Sequence, residues 1–241
     1  MNISDLKIDI YADGANVSDM VFALKSGTVK GFTTNPSLMK LAGVKNYLNF
    51  AKKSLSVVEG APISFEVFSD DFSVMEKEAL KLSSLGRNVF VKIPITNTKG
   101  ESSVPLIKKL SSKGVNINVT AIFTLKQLRG VLTAFSERTN NIVSVFAGRV
   151  ADIGIDPIPL MKKCVDLTSK YENVKLLWAS CREVFNIVEA DRLDVDIITC
   201  TDSVIKKLNL FGMNSEKRSL QTVQGFNRDV KHLGFSILDN N

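Results

Sequence analysis

Residues 88–97 read Asn-Val-Phe-Val-Lys-Ile-Pro-Ile-Thr-Asn. Val89, Phe90, Val91 and Ile93 make this a buried β-strand by composition. Lys92 in its middle needs an explanation. Burying an ammonium without a partner costs on the order of several kcal/mol. The side chain must therefore pair, snorkel to water, or give up its proton and become an amine nucleophile.

Similar apolar segments recur at 7–13, 30–34, 63–67, 116–121, 142–146, 174–179 and 194–199. Between them lie amphipathic stretches such as 72–85, 104–113, 125–136 and 158–171, with apolar residues spaced by three and four. Eight strand–helix units in 241 residues predict an α/β fold, a single (β/α)8 TIM barrel over about 7–210 within one domain, 1–241. A doubly wound sheet is disfavoured, because the Gly-rich turn a dinucleotide site needs after the first strand is missing. Asn35-Pro36 and Asp156-Pro157 read as helix starts, a capping side chain before a proline. The tail over about 215–234 reads as an extra C-terminal helix, with Leu220, Val223, Phe226 and Val230 along one side. A helix added to a closed barrel must pack somewhere, and a neighbouring subunit is a suitable place.

Bulk composition narrows the function. A formal net charge of +6 suits anionic partners, but the basic residues are dispersed, without a basic arm or nucleic-acid motif. Phosphate esters fit better than nucleic acid. No apolar run is long enough for a membrane span, and residues 1–5 are polar, so a cytoplasmic protein is expected. The three cysteines, Cys164, Cys181 and Cys200, match neither a disulfide framework nor a metal cluster. His232, the only histidine, lies in the tail, so neither a Ser-His-Asp triad nor a His-based metal site has its base or ligand where it is needed. Cys181 stands beside Arg182 but has no histidine to take its proton, and reads as structural. No metal and no cofactor is expected.

The informative pattern lies at the strand ends. Asp13, Asn35, Glu66, Lys92, Asn118 with Thr120, Ser144 and Ser180 all fall at or near the C-terminal ends of predicted strands, which converge on one mouth in a barrel. Period-two alternation assigns faces. Val89, Val91 and Ile93 go outward and Phe90 and Lys92 inward. Ile63, Phe65 and Val67 go outward and Ser64 and Glu66 inward. Ile117 and Val119 go outward and Asn118 and Thr120 inward. Glu66, Lys92 and Thr120 therefore aim into one lumen from consecutive strands. Arg149 follows Gly148 after one strand and Arg182 follows Ser180 after another, both at the same mouth.

These residues carry a family resemblance. Gly31-Phe32-Thr33-Thr34-Asn35-Pro36-Ser37-Leu38 resembles the T-T-N-P-S signature of transaldolases, and Asn88-Val89-Phe90-Val91-Lys92-Ile93-Pro94 resembles their Schiff-base lysine strand. Ala12-Asp13, Phe65-Glu66-Val67, Asn118-Val119-Thr120, Ser144-Val145-Phe146-Ala147-Gly148-Arg149 and Ala179-Ser180-Cys181-Arg182 follow in order. The likeness runs over about 9–208 and is to the small-subunit branch, which also holds fructose-6-phosphate aldolases. It implies metal-free class I aldol chemistry. Lys92 would form the Schiff base, Asp13 would serve as acid/base at the C4 hydroxyl, and Glu66 with Thr120 would hold a proton-shuttling water. Asn35 and Asn118 would position the dihydroxyacetone unit, with Ser144 and Ser180 nearby, and Arg149 and Arg182 would grip a terminal phosphate.

The resemblance also bears on which reaction is performed. The aldolase branch typically has glutamine where Glu66 stands and tyrosine where Phe146 stands, so this sequence resembles the transferase pattern. It implies dihydroxyacetone transfer between sedoheptulose 7-phosphate and glyceraldehyde 3-phosphate in the pentose phosphate pathway. The alternatives are aldol cleavage releasing free dihydroxyacetone, a related aldolase acting on an unusual sugar phosphate, and a non-catalytic phosphosugar-binding barrel. Val145, Cys181 and Trp178 depart from the common pattern, and Trp178 is expected to narrow the inner face of the seventh strand. Relatives of this size imply a homo-oligomer, a pentamer or decamer.

Overall fold

The structure is a computed structural model and describes residues 2–235, 237 and 238. The expected domain also takes in Met1, Ser236 and residues 239–241, which lie outside the described residues. Eight parallel strands close a barrel in sequence order: β1 (Asp9–Asp13), β2 (Val29–Thr33), β3 (Ile63–Glu66), β4 (Val89–Pro94), β5 (Ile117–Ile122), β6 (Asn141–Val145), β7 (Val174–Trp178) and β8 (Ile197–Thr201). β1 pairs with both β2 and β8, which completes the ring. This is a (β/α)8 barrel.

Helices α1 (Val17–Lys25), α2 (Pro36–Leu41), α3 (Tyr47–Val57), α4 (Phe72–Ser83), α5 (Val104–Ser112) and α6 (Leu125–Leu132) follow the first five strands. They are succeeded by α7 (Ala147–Asp152), α8 (Ile158–Thr168), α9 (Phe185–Arg192), α10 (Asp202–Ile205) and the C-terminal α11 (Ser215–Lys231). Asn35 caps α2 ahead of Pro36, its Oδ1 accepting the Leu38 N–H at 2.9 Å. Asp156 does the same for the start of α8, accepting from Ile158 at 2.9 Å, although the helix begins one residue beyond the proline.

The alternation rule works because each strand has two apolar environments to choose between. Outward residues such as Val91, Ile93, Ile117 and Val119 are fully buried against the helix layer. Inward residues Tyr11, Ile142, Leu177 and Ile197, with Phe90 packed against them, fill the lower lumen, and Ala179 and Phe146 join this apolar cluster from above. Gly31 is needed there, since a Cβ would come within 2.5 Å of the Tyr11 ring.

Three expectations need correction. Trp178 does not narrow the inner face: it is 1 % exposed and lies in the outer core, while Leu177 and Ala179 face the lumen. β8 begins at Ile197 rather than 194, because Asp194 takes a left-handed turn (φ 58°). α6 stops at Leu132, short of 136, where the chain turns and the Ser136 N–H donates to Ser111 Oγ at 2.8 Å. The predicted tail helix is present as α11, and none of its side chains is buried.

Candidate active site

Strand register assembles the mouth. Glu66 pairs with Lys92 across β3 and β4, and Lys92 with Asn118 across β4 and β5. Asp13 lies beside Thr33 of β2 on one side and Thr201 of β8 on the other. A cavity of about 400 Å³ opens at this level, and its wall includes Asp13, Asn35, Glu66, Lys92, Thr120 and Ser144. Phe146, Arg149, Ser180 and Arg182 continue the same wall. Of the residues singled out in the sequence, only Asn118 is not part of this wall.

Lys92 answers the question raised by its strand: it pairs. Its Nζ lies 3.1 Å from Glu66 Oε2 and donates to the Thr34 carbonyl at 3.2 Å, with the residue 7 % exposed. Glu66 therefore touches Lys92 directly rather than only across solvent. The Thr120 hydroxyl is buried and has no hydrogen-bond partner among the described residues. A polar atom in that state wants a ligand or water. Ala121, left-handed at φ 59°, sits inside the register shift between Val119 and Ile122, so the alternation breaks just after Thr120: Ala121 also lines the cavity and Ile122 joins the outer core.

Asn118 is clamped behind the wall. Its Nδ2 donates to Ser64 Oγ at 2.9 Å, and Ser144 Oγ donates to its Oδ1 at 2.7 Å. Asp13 accepts from Thr33 Oγ1 at 2.8 Å, and Thr33 in turn bonds Thr199 at 2.5 Å. Burial pushes the Asp13 carboxyl above its usual range, against the opposing pull of Lys92 and of the Thr33 hydrogen bond. Cys200 is raised well above the usual thiol range by its hydrogen bond with Cys181 and by burial, with the Asp13 charge adding to both.

The rim is cationic. The Arg149 guanidinium carbon stands 5.5 Å from the centroid of the Phe146 ring, which Phe123 contacts on another side. Arg182 is held by Asp152 through Nε at 3.2 Å and through a second, very short bond. Ser180 adopts φ 63°, and Gly148 sits so close that a Cβ would fall 1.7 Å from the Ser180 carbonyl oxygen. The αL turn at Ser180 and the glycine at 148 together let the chain after β7 pass over the start of α7.

A larger cavity of about 750 Å³ lies beside the first, walled largely by apolar residues of α1, α2 and α10 and sharing Asp13, Leu38 and Thr201 with it. The chemistry belongs to the smaller one. There an amine, two carboxylates and two guanidinium groups converge, an arrangement able to attack a carbonyl, move protons on both sides of it and bind an anion.

A family model described as transaldolase/fructose-6-phosphate aldolase matches residues 10–238. This chain belongs to that family. A protein named probable transaldolase from Nitrosopumilus maritimus is 33 % identical over 229 residues, 92 % of this chain and 99 % of that protein. One of the same name from Clostridioides difficile is 35 % identical over 199 residues, covering 82 % of this chain and 88 % of its own. Among solved structures, the crystal structure of 2,3-dimethylmalate lyase superposes with a TM-score of 0.53 at 11 % identity, covering 99 % of this chain and 88 % of that one. That likeness is one of fold alone.

The mouth of this transaldolase-family barrel also holds residues that the sequence pattern leaves without a role. Thr33 lies inside the T-T-N-P-S stretch. Thr199 has the inward parity of β8, a signal alternation could have supplied. Ser64 has inward parity on β3, and only the closed barrel shows that it holds Asn118. Asp152, the partner of Arg182, gives no signal in its own neighbourhood. Among the described residues, no cluster of three or more His, Cys, Asp or Glu side chains is placed to hold a metal ion, and no helix is long and apolar enough to cross a membrane.

Proposed function

We propose that this protein is a transaldolase, transferring a dihydroxyacetone unit between sugar phosphates through a Schiff base on Lys92. What carries this reading is the Lys92 amine, buried at the barrel mouth with Glu66 3.1 Å away and Asp13 near enough to feel its charge. Lys92 Nζ, after passing a proton to Glu66, adds to the ketose carbonyl. The carbinolamine loses water to give the iminium, aided by a water between Glu66 and the unpartnered Thr120 hydroxyl. As C3–C4 breaks, its electron pair flows into the iminium and the C4 hydroxyl proton goes to Asp13, leaving an aldehyde and an enamine. The enamine then attacks an acceptor aldehyde, Asp13 returns the proton, and water hydrolyses the new iminium.

Asn35 and Asn118 position the three-carbon unit, with Ser144 and Ser180 beside it, and Arg149 and Arg182 receive the terminal phosphate. Sedoheptulose 7-phosphate and glyceraldehyde 3-phosphate become erythrose 4-phosphate and fructose 6-phosphate, a pentose phosphate pathway step in the cytoplasm. Phe146 favours transfer over release of free dihydroxyacetone, because it has no hydroxyl to act as an acid at the enamine. The apolar side of α11, with Leu220, Val223, Phe226 and Val230 each more than half exposed, supports a homo-oligomer of the pentamer or decamer type.

Borohydride reduction in the presence of fructose 6-phosphate, followed by peptide mass spectrometry, tests the central step. A stable three-carbon adduct on Lys92 is expected. No adduct would leave a binding barrel as the reading. Steady production of glyceraldehyde 3-phosphate from fructose 6-phosphate without an acceptor would make the protein an aldolase instead.

A further inference from the structure

Asp13 does not stand alone on β1. Its neighbours in the sheet are β2 and β8: Thr33 of β2 and Thr201 of β8 pair with it in register, and Thr199 of β8 lies two residues before Thr201, level with Tyr11. Thr33 Oγ1 donates to Asp13 Oδ1 at 2.8 Å, and Thr33 Oγ1 and Thr199 Oγ1 are 2.5 Å apart. Both threonines are buried, and both line the catalytic cavity. Among the described residues, the Thr199 hydroxyl makes no other hydrogen bond.

A hydroxyl carries one proton, and this sets the direction of the chain. When Asp13 is ionised, Thr33 must give its proton to the carboxylate, so only Thr199 can fill the Thr33–Thr199 bond. When Asp13 is protonated on Oδ1, it can donate to Thr33, and Thr33 can then donate to Thr199. The bonds stay in place while their sense reverses. A donor that is itself receiving a hydrogen bond is the stronger donor, so Thr199 reinforces the Thr33 bond to the carboxylate.

We propose that Thr199 is a positioning residue for Asp13, acting through the Thr33 hydroxyl to set the orientation and proton affinity of that carboxylate as it takes up and returns a proton. The proposal rests on the reading of Asp13 as acid/base. It goes beyond that reading by assigning a residue of β8, 166 positions from Thr33 in the chain, to the proton-transfer machinery. The Thr–Thr bond also staples β2 to β8 across β1. A staple, however, would leave the behaviour of Asp13 unchanged when the hydroxyl is removed and the shape kept.

Other charges act on Asp13 and stay constant in the test. Lys92 of β4 draws the carboxylate toward ionisation and is itself engaged by Glu66 of β3. The Cys200 thiol lies within its field. Arg149 and Arg182 stand across the cavity. Asp19 of α1 and the Asp202–Lys206 ion pair, 2.6 Å apart, line the neighbouring cavity.

The test is direct titration of Asp13 by carbon-13 NMR of protein carrying labelled aspartate carboxyls, with Asp13→Asn identifying the signal. Thr199→Val keeps the shape and removes the hydroxyl. Its Asp13 signal is expected to titrate higher than in the native protein by about half a pH unit, the size of losing one reinforcing hydrogen bond. Thr33→Val should move it further, and Thr199→Ser should restore it. A Thr199→Val curve superimposed on the native one, or a Thr199→Ser curve that stays with the valine variant, overturns the proposal. Thermal unfolding of each variant separates a staple from a relay. Should valine unfold the chain, Thr199→Ala, which also lacks the hydroxyl, is expected to show the same upward shift, a native-like curve there overturning the proposal. Because titration needs no turnover, failure to trap an adduct on Lys92 would count against the transaldolase reading and leave the Thr199 result standing.

Discussion

The lumen has two storeys built from the same strands. In the lower one, Tyr11, Ile142, Leu177 and Ile197 pack with Phe90 into an apolar plug, which Ala179 joins from the cavity wall above. Two residues further along many of these strands stand Asp13, Thr33, Lys92, Ser144 and Thr199, joined by Glu66, Asn118 and Thr120. The backbone and the inward direction are common to both storeys, and only the side chains change. In the lower storey stability comes from filled volume, so each missing methylene leaves a hole. In the upper one it comes from partners, so each missing partner leaves a buried polar group unsatisfied. One storey can therefore be damaged without chemistry being touched, and the other without packing being touched.

Lys92→Met makes the sharpest cut through that division. The trapped adduct should vanish and turnover should fall on the order of 10⁴-fold, as expected when a nucleophile is removed. Stability should also drop, by about 3 kcal/mol, because Glu66 is left buried without its cation. Lys92→Met combined with Glu66→Gln should regain most of the stability and none of the activity. Denaturant unfolding beside the trapping assay reads both quantities. Were the single variant as stable as the native protein, the upper storey would not be governed by pairing.

The matching cut below is Ile197→Ala. Ile197 is fully buried in the plug, two residues beneath Thr199, and truncation should cost about 2–5 kcal/mol. Adduct formed per folded molecule should be unchanged. A loss of trapping at full folding would show that the plug also tunes the site, and the two storeys would have to be treated as one.

How far these storeys could be seen beforehand depends on the strand. In β3, β4 and β5, parity counted from the apolar residues places Ser64, Glu66, Phe90, Lys92, Asn118 and Thr120 inward, because nothing interrupts the alternation before those residues. At β7 the same count fails. Ser180 is left-handed, so counting back from it puts Trp178 on the wrong face. At β8 the left-handed Asp194 displaces the strand start. Residues reached through the fold are less legible still. Asp152 meets Arg182 across 30 positions, and Thr33 meets Thr199 across 166. No local pattern encodes such pairs, since they exist only once the barrel has closed.

Asp13 is the place where the upper storey departs from its own rule, and pH exposes it. Its carboxyl is raised in the folded protein, so the folded state binds that proton more tightly than the unfolded chain. The stability this provides is fully present below the unfolded value, near 4, and is lost as pH rises through the folded value. Above its folded value the ionised Asp13 is thus a burden on the fold. Asp13→Asn should be more stable than the native protein near neutrality, with the gap closing toward acid, while adduct turnover collapses. Urea unfolding from acid to neutral pH checks the sign. A variant less stable at every pH would mean that Asp13 is held in place by its partners more than it is opposed by burial.

The smallest effect is expected where an ion pair leaves the lumen altogether. Lys92 and Glu66 have side chains only 9 % and 13 % exposed, whereas those of Arg182 and Asp152 on the rim are 51 % and 49 % exposed. Water screens the rim pair, and such pairs contribute about 0–1 kcal/mol. Asp152→Asn should therefore leave stability almost unchanged, in contrast to the loss expected at Lys92. Its effect should instead appear in binding. With Asp152 neutral, Arg182 no longer has to exchange a carboxylate for a phosphate, and KM for a phosphorylated donor should fall by up to about fivefold, the factor equivalent to 1 kcal/mol. Inhibition by inorganic phosphate should strengthen in step, with kcat for transfer held. An unchanged KM with unchanged phosphate inhibition would place Arg182 outside the anion's reach and leave Arg149, stacked on Phe146, as the cation that meets it.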